Sequence, residues 1–115
     1  MSSSRTSTSI IGRRLRERRE LLGWSLERVG VEIGLDESSS RARISRYELG
    51  VHQPAEETAL RLARALQVPH AFLQCEDERL AQIILAASAL SKDDQDSLLA
   101  SLQQCLEHHR LSTRK

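Results

Sequence analysis

Glycines at positions 23, 34 and 50 cut the front half of this chain into helix-length pieces. No other feature constrains the fold as much, because glycine takes the left-handed conformation that ends a helix without steric cost. Before the first stop, Ile11, Leu15 and Leu22 fall on one helical stripe, with Arg18 and Arg19 filling the gap. Trp24-Ser25 opens a second helix, with Ser25 as its cap. Leu26, Val29, Gly30 and Ile33 make the inner face of that helix, and Gly30 permits close approach of another one. A third helix runs to Gly50, and Pro54 announces a fourth, lined by Leu60, Ala63 and Leu66 with Thr58 and Ala59 nearby. Val68-Pro69 breaks the fourth, and His70-Ala71-Phe72-Leu73 forms one further turn that closes the core with Phe72. Aromatic residues make up 3% of the 115, so the core must be built from Leu, Ile, Val and Ala. Apolar alternation with period two is missing, and the expected class is all-α.

After Cys75 the pattern changes. Glu76-Asp77-Glu78 marks a helix start, where acids suit the macrodipole. Leu80, Ile83, Ile84, Ala87 and Leu90 follow at helical spacing. Ser91-Lys92-Asp93-Asp94 resembles a capping box, and Leu98, Leu99, Leu102, Cys105 and Leu106 stripe a second amphipathic helix. Such a pair either packs back on the preceding helices or self-associates. Self-association is the preferred reading, with Leu80, Ile83, Ile84, Ala87, Leu98, Leu99, Leu102 and Leu106 as the dimerisation surface. The expected organisation is a disordered Ser/Thr-rich arm over 1–9, a folded domain over 10–74, a helical pair over 75–109 and a tail over 110–115.

Net charge is +1 but unevenly placed: residues 1–53 hold ten arginines against seven acids, and residues 54–115 hold seven bases against nine acids. A basic front half is a modest electrostatic footprint of a polyanionic partner. Cys75 and Cys105 lack paired-cysteine spacing, which points to a reduced, cytoplasmic protein without a disulfide or metal site. No apolar run approaches the roughly 20 residues of a membrane span. His52, His70, His108 and His109 are scattered or terminal, so neither an enzyme constellation nor a cofactor is expected.

The chemistry concentrates in Arg41-Ala42-Arg43-Ile44-Ser45-Arg46-Tyr47-Glu48-Leu49-Gly50. On a helical wheel Ser40, Ile44, Tyr47 and Glu48 share one face, while Ser39, Ala42, Arg43 and Arg46 share the other. That outer face sets two guanidinium forks around a methyl-sized residue. Paired acceptors on guanine suit the forks, and a thymine methyl suits the alanine. Arg13 and Arg14 read as phosphate-facing or solvated.

The ordered pieces Ile11-Gly12-Arg13-Arg14-Leu15-Arg16, Leu22-Gly23-Trp24-Ser25, Ile44-Ser45-Arg46-Tyr47-Glu48-Leu49-Gly50 and Leu62-Ala63-Arg64-Ala65-Leu66-Gln67-Val68 resemble the lambda-repressor-like, Cro/XRE-type helix-turn-helix family over about Ile10 to Leu73. The resemblance implies a five-helix domain, followed here by two C-terminal amphipathic helices, with the helix around 39–48 in the major groove of double-stranded DNA. It places the base-reading sites on Arg41, Ala42, Arg43 and Arg46, although the wheel sets Arg41 on the flank, where either a base or a phosphate is in reach. Ser40 and Ser45 become candidates for positioning on the backbone, and His52 and Gln53 for phosphate contacts. Where the family usually has a glutamine, this chain has Leu26, which leaves that backbone contact to Ser25 or to nothing. The interval from Gly34 to Ile44 is about four residues longer than usual, so either the turn is a loop or the recognition helix gains a turn at its front.

Arg19 lies on the apolar stripe of the first helix, where a guanidinium needs a carboxylate partner. Glu48 lies on the inner face of the third, and the resemblance implies that the pair bridges the two. Together these readings describe a sequence-specific DNA-binding transcriptional regulator, a dimeric repressor. Two rivals stand beside it: an antitoxin-type regulator that also holds a protein partner, and a helical interaction module that does not bind DNA.

Overall fold

The computed structural model describes residues 9–113. The expected arm lies outside these residues except for Ser9, as do the last two residues of the expected tail. Seven α-helices and no strand occur among the described residues. They are α1 (Ile10–Leu22), α2 (Leu26–Glu32), α3 (Glu37–Leu49), α4 (Glu56–Leu66), α5 (His70–Gln74), α6 (Glu78–Ser88) and α7 (Lys92–Ser112).

Local chemistry sets the ends. Ser9, expected in the arm, is buried, and its hydroxyl accepts the Gly12 N–H at 2.9 Å to cap α1. A hydroxyl that satisfies one of the four unpaired amides of a helix start is held by that role. Ser25 does the same for α2 through the Arg28 N–H at 3.0 Å. Gly23 and Gly50 end α1 and α3 at φ 72° and 78°, the left-handed region where a Cβ is penalised. Gln67 ends α4 at φ 61°. Pro54 stands two residues before α4 rather than in its first turn, since Ala55 is the capping residue and α4 opens at Glu56.

The lengthened interval after Gly34 is resolved as extra helix. Leu35 N–H donates to the Gly30 carbonyl at 2.9 Å, so the turn stays tight, and α3 already begins at Glu37.

The chain divides into two compact units between Leu85 and Ala86. In the first, Leu15, Val29, Ile44, Leu62, Leu66 and Leu73 are fully buried, with Ile11, Ile33, Tyr47 and Phe72 nearly so. Each such aliphatic side chain contributes roughly 1.5–3 kcal/mol, which suits a core almost free of aromatics. The core extends past residue 74, where the domain was expected to end. Ala81 is fully buried, and Ile84 and Leu85 pack against the same cluster.

Arg14 corrects an expectation. It does not face solvent or phosphate; its side chain is completely buried. Nε and Nη2 donate to the Cys75 carbonyl at 3.1 and 2.7 Å, Nη1 to Glu78 Oε1 at 2.7 Å, and the guanidinium stands 5.3 Å from the centre of the Phe72 ring. Arg14 therefore joins α1 to the α5–α6 junction.

In the second unit, Ser91 caps α7 through the Asp94 N–H at 3.1 Å, and Gln95 Nε2 donates to the Ala87 carbonyl at 2.7 Å. No residue of the 21-residue α7 is buried.

Candidate nucleic-acid interface

The third helix is presented by what lies beneath it. Ile44 is fully buried, and Tyr47 and Glu48 are buried beside it. Arg19 reaches Glu48 with two bonds, Nε to Oε2 at 2.6 Å and Nη2 to Oε1 at 3.1 Å, while Nη1 donates to the Trp24 carbonyl at 2.9 Å. Fork-to-fork geometry fixes direction as well as distance. The bond to Glu48 is the main reason the Arg19 guanidinium is held above its ordinary pKa, against the opposing effect of burial. This link pins the back of α3 to α1.

The second support is steric. A Cβ on Gly30 would collide with Ser40, whose own Cβ and Oγ occupy that space. Helices α2 and α3 thus cross in direct contact, backbone against a small side chain. Ser40, expected to position the DNA backbone, is wholly buried in this crossing, and its hydroxyl donates to the Asp36 carbonyl at 2.7 Å. It is removed from the interface.

On the opposite face Ser39, Arg41, Ala42, Arg43 and Arg46 are exposed, and Ser45 is half-buried at the edge. Among the described residues Arg43 and Arg46 have no carboxylate partner, so both forks are open. Arg41 differs. Its Nη1 donates to Glu27 Oε2 at 2.8 Å, from the front of α3 to the first turn of α2. That bond, first among several causes, holds the Glu27 carboxyl below the usual carboxylate range. Ser25 is exposed although its oxygen serves as a cap. His52 and Gln53 are exposed on the α3–α4 loop, which Gly50 turns and the Arg46 carbonyl anchors by accepting from Val51 and His52. Gln53 also borders a groove lined by Glu56, His70, Gln74 and Glu76, so the basic surface gives way to carboxylates there.

Of the eight expected dimerisation residues, Leu80 and Ile83 are about half exposed on α6, whereas Ile84 is partly buried, packed against the core of the first unit. In the second unit Ala87 and Leu98 are half-buried, and Leu99, Leu102 and Leu106 are exposed. Two contacts escaped the sequence reading. Arg14 lies at the spacing 11, 14, 15, 18, 22 of the apolar stripe, which signals burial; the Glu27–Arg41 bond joins residues 14 apart and left no periodic trace.

A guanidinium-bearing helix held out from a buried carboxylate clamp, one tight turn after a capped shorter helix, is the arrangement of a helix-turn-helix. Residues 15–73 match the helix-turn-helix family. Among solved structures, the crystal structure of transcriptional regulator BswR is similar, with a TM-score of 0.77 and 38% sequence identity, covering 81% of this chain and 92% of that one. No curated protein matches the chain. The chain belongs to the lambda-repressor-like helix-turn-helix DNA-binding family.

Proposed function

We propose that this protein is a sequence-specific transcriptional regulator that represses by occupying its operator as a dimer. Residues from α1 to the front of α6 would bind DNA, and the C-terminal helix would join two copies. The observation that carries the reading is the pair of exposed guanidinium groups of Arg43 and Arg46, without a carboxylate partner among the described residues, beside Ala42 on one face of α3. They stand on a helix whose other face is clamped by Arg19 and Glu48. Arginine forks match guanine O6 and N7, and the alanine leaves room for a close approach. Ser39, Ser45, Ser25, His52 and Gln53 surround this face as candidates for phosphate contacts that set register. Similarity to a solved transcriptional regulator supports the regulatory role. Repression needs nothing beyond occupancy of a site that polymerase requires.

The test is selection of binding sites from random duplex DNA, followed by Arg43→Ala and Arg46→Ala. Each should cost about 1–3 kcal/mol on the selected site and relax preference at one base-pair position. Unchanged specific binding in both variants would remove α3 as the reader.

A further inference from the structure

Helix α7 carries a row of apolar side chains that the described residues leave exposed. Leu99, Leu102 and Leu106 are 54%, 47% and 68% exposed. At 100° per residue Leu98, Leu99, Leu102, Cys105, Leu106 and His109 fall within about 60° of a line through Leu102. Two observations say what covers the row. The first is charge. The first turns of α7 carry Asp93, Asp94 and Asp96 beside Lys92, whereas its last turns carry His108, His109 and Arg110 beside Glu107. The start of α7 is thus acidic and the basic groups of α7 gather toward its end, so the two ends complement each other better than either complements itself. The second is where the chain arrives. The DNA-binding unit joins α7 at its N-terminal end. A 21-residue helix is about 30 Å long.

We propose that α7 pairs with α7 of a second copy, antiparallel, with Leu102 at the two-fold axis. This rests on the reading of the protein as a dimeric DNA-binding regulator and specifies how the two copies meet. In that register Leu98 lies level with the partner's Leu106, and Leu99 with the partner's Cys105 and Leu106. Asp94 and Asp96 lie level with the partner's His108, His109 and Arg110. Arg110 rests on Glu107 of its own helix at 2.7 Å yet remains exposed, so it is accessible to an incoming carboxylate. The same patch meets itself, as a closed two-fold contact requires. The two chains then enter the pair at opposite ends, about 30 Å apart along the helix axis. A parallel pair would bring like charges together and place both arrivals about 10 Å apart.

Orientation is tested by cross-linking in a chain carrying Cys75→Ser and Cys105→Ser. Antiparallel pairing predicts that Leu99→Cys mixed with Leu106→Cys yields a disulfide-linked heterodimer on mild oxidation, while Leu99→Cys alone links poorly to itself. Efficient self-linking of Leu99→Cys overturns the proposal in favour of a parallel pair. Asp96→Arg should weaken dimerisation about tenfold, because two-fold symmetry counts each contact twice, and adding Arg110→Asp should restore it. Failure of the double swap to restore dimerisation, with helix content unchanged by circular dichroism, also overturns it. A full chain that is monomeric by light scattering at micromolar concentration overturns the pairing, and if it still binds the selected site the DNA-binding reading stands. An antiparallel dimer that selects no DNA supports the pairing and sinks the DNA-binding reading.

Discussion

Arginines on one short helix have opposite fates. Arg19 and Arg14 are both turned inward, but Arg19 braces the recognition helix and Arg14 braces the far end of the core. Removing either Arg19 or Glu48 alone should destabilise folding by about 3 kcal/mol, and removing both should cost less than the sum. Chemical denaturation of the four proteins in that cycle checks this; strict additivity would mean that the pair does not couple. Arg14→Ala leaves the Cys75 carbonyl without its donors, a loss of about 1–3 kcal/mol that thermal unfolding would register. The same variant should leave the salt dependence of DNA binding unchanged, whereas Arg13→Ala should weaken binding to all sequences alike. Glu78 adds a pH signature. The hydrogen bond from Arg14, then that from Gln82 and the Arg14 charge, hold its carboxyl below the usual range. Its contribution is therefore complete above the ordinary glutamate value of about 4.3 and is lost as pH falls through the lower folded value. The stability difference between wild type and Glu78→Gln should shrink along that acid limb in pH-dependent denaturation. A difference constant with pH would exclude a role for the ionised carboxylate.

At the scale of elements, the α2–α3 crossing is set by one missing side chain. Gly30→Ala drives a methyl into Ser40, and overpacking of this kind costs about 1–3 kcal/mol. Because the clash lies under the recognition helix, the specific DNA affinity of the folded fraction should fall as well, measurable by titration well below the melting temperature. Affinity retained in full would show that α3 does not shift. The sequence carried most of this architecture. The stops at Gly23, Gly34 and Gly50, the cap at Ser25 and the apolar stripes all act within a few residues, and local chemistry can be read locally. The wheel separated Ala42, Arg43 and Arg46 from Ile44, Tyr47 and Glu48 because α3 is a single regular helix. It also put Ser40 on the inner face, yet the family pattern drew that residue back toward DNA. The close approach at Gly30 decides the matter, and it exists only once two helices meet. The extra residues at the front of α3 were undecidable by pattern, since a serine run fits a loop as well as a helix front.

For the whole molecule, the boundary was the least legible feature. Residues 75–85 look like the start of a separate amphipathic pair, but Ala81 completes the first core and Glu78 holds Arg14. Periodicity reports that a face is apolar and not which neighbour takes it. Truncation after Leu73 should therefore unfold or strongly destabilise the DNA-binding unit. Truncation after Ser88 should leave it folded, monomeric and weak on paired half-sites. Circular dichroism melts and light scattering of the two fragments compare these outcomes; a stable fragment ending at Leu73 would show that α6 is dispensable.

The two-faced build of α3 has a consequence for how such a regulator can change. Its inner face is committed to the Gly30–Ser40 contact and the Arg19–Glu48 clamp, while Ala42, Arg43 and Arg46 support nothing beneath them. Exposed substitutions of that kind usually move stability by no more than about 0.5 kcal/mol. If these three positions read the bases as proposed, a duplicated copy can drift to a new operator through them while its scaffold stays intact. Randomising positions 42, 43 and 46 should yield variants with altered site preference and unshifted melting temperatures, so that divergence of regulatory targets does not have to wait for compensating changes in the core.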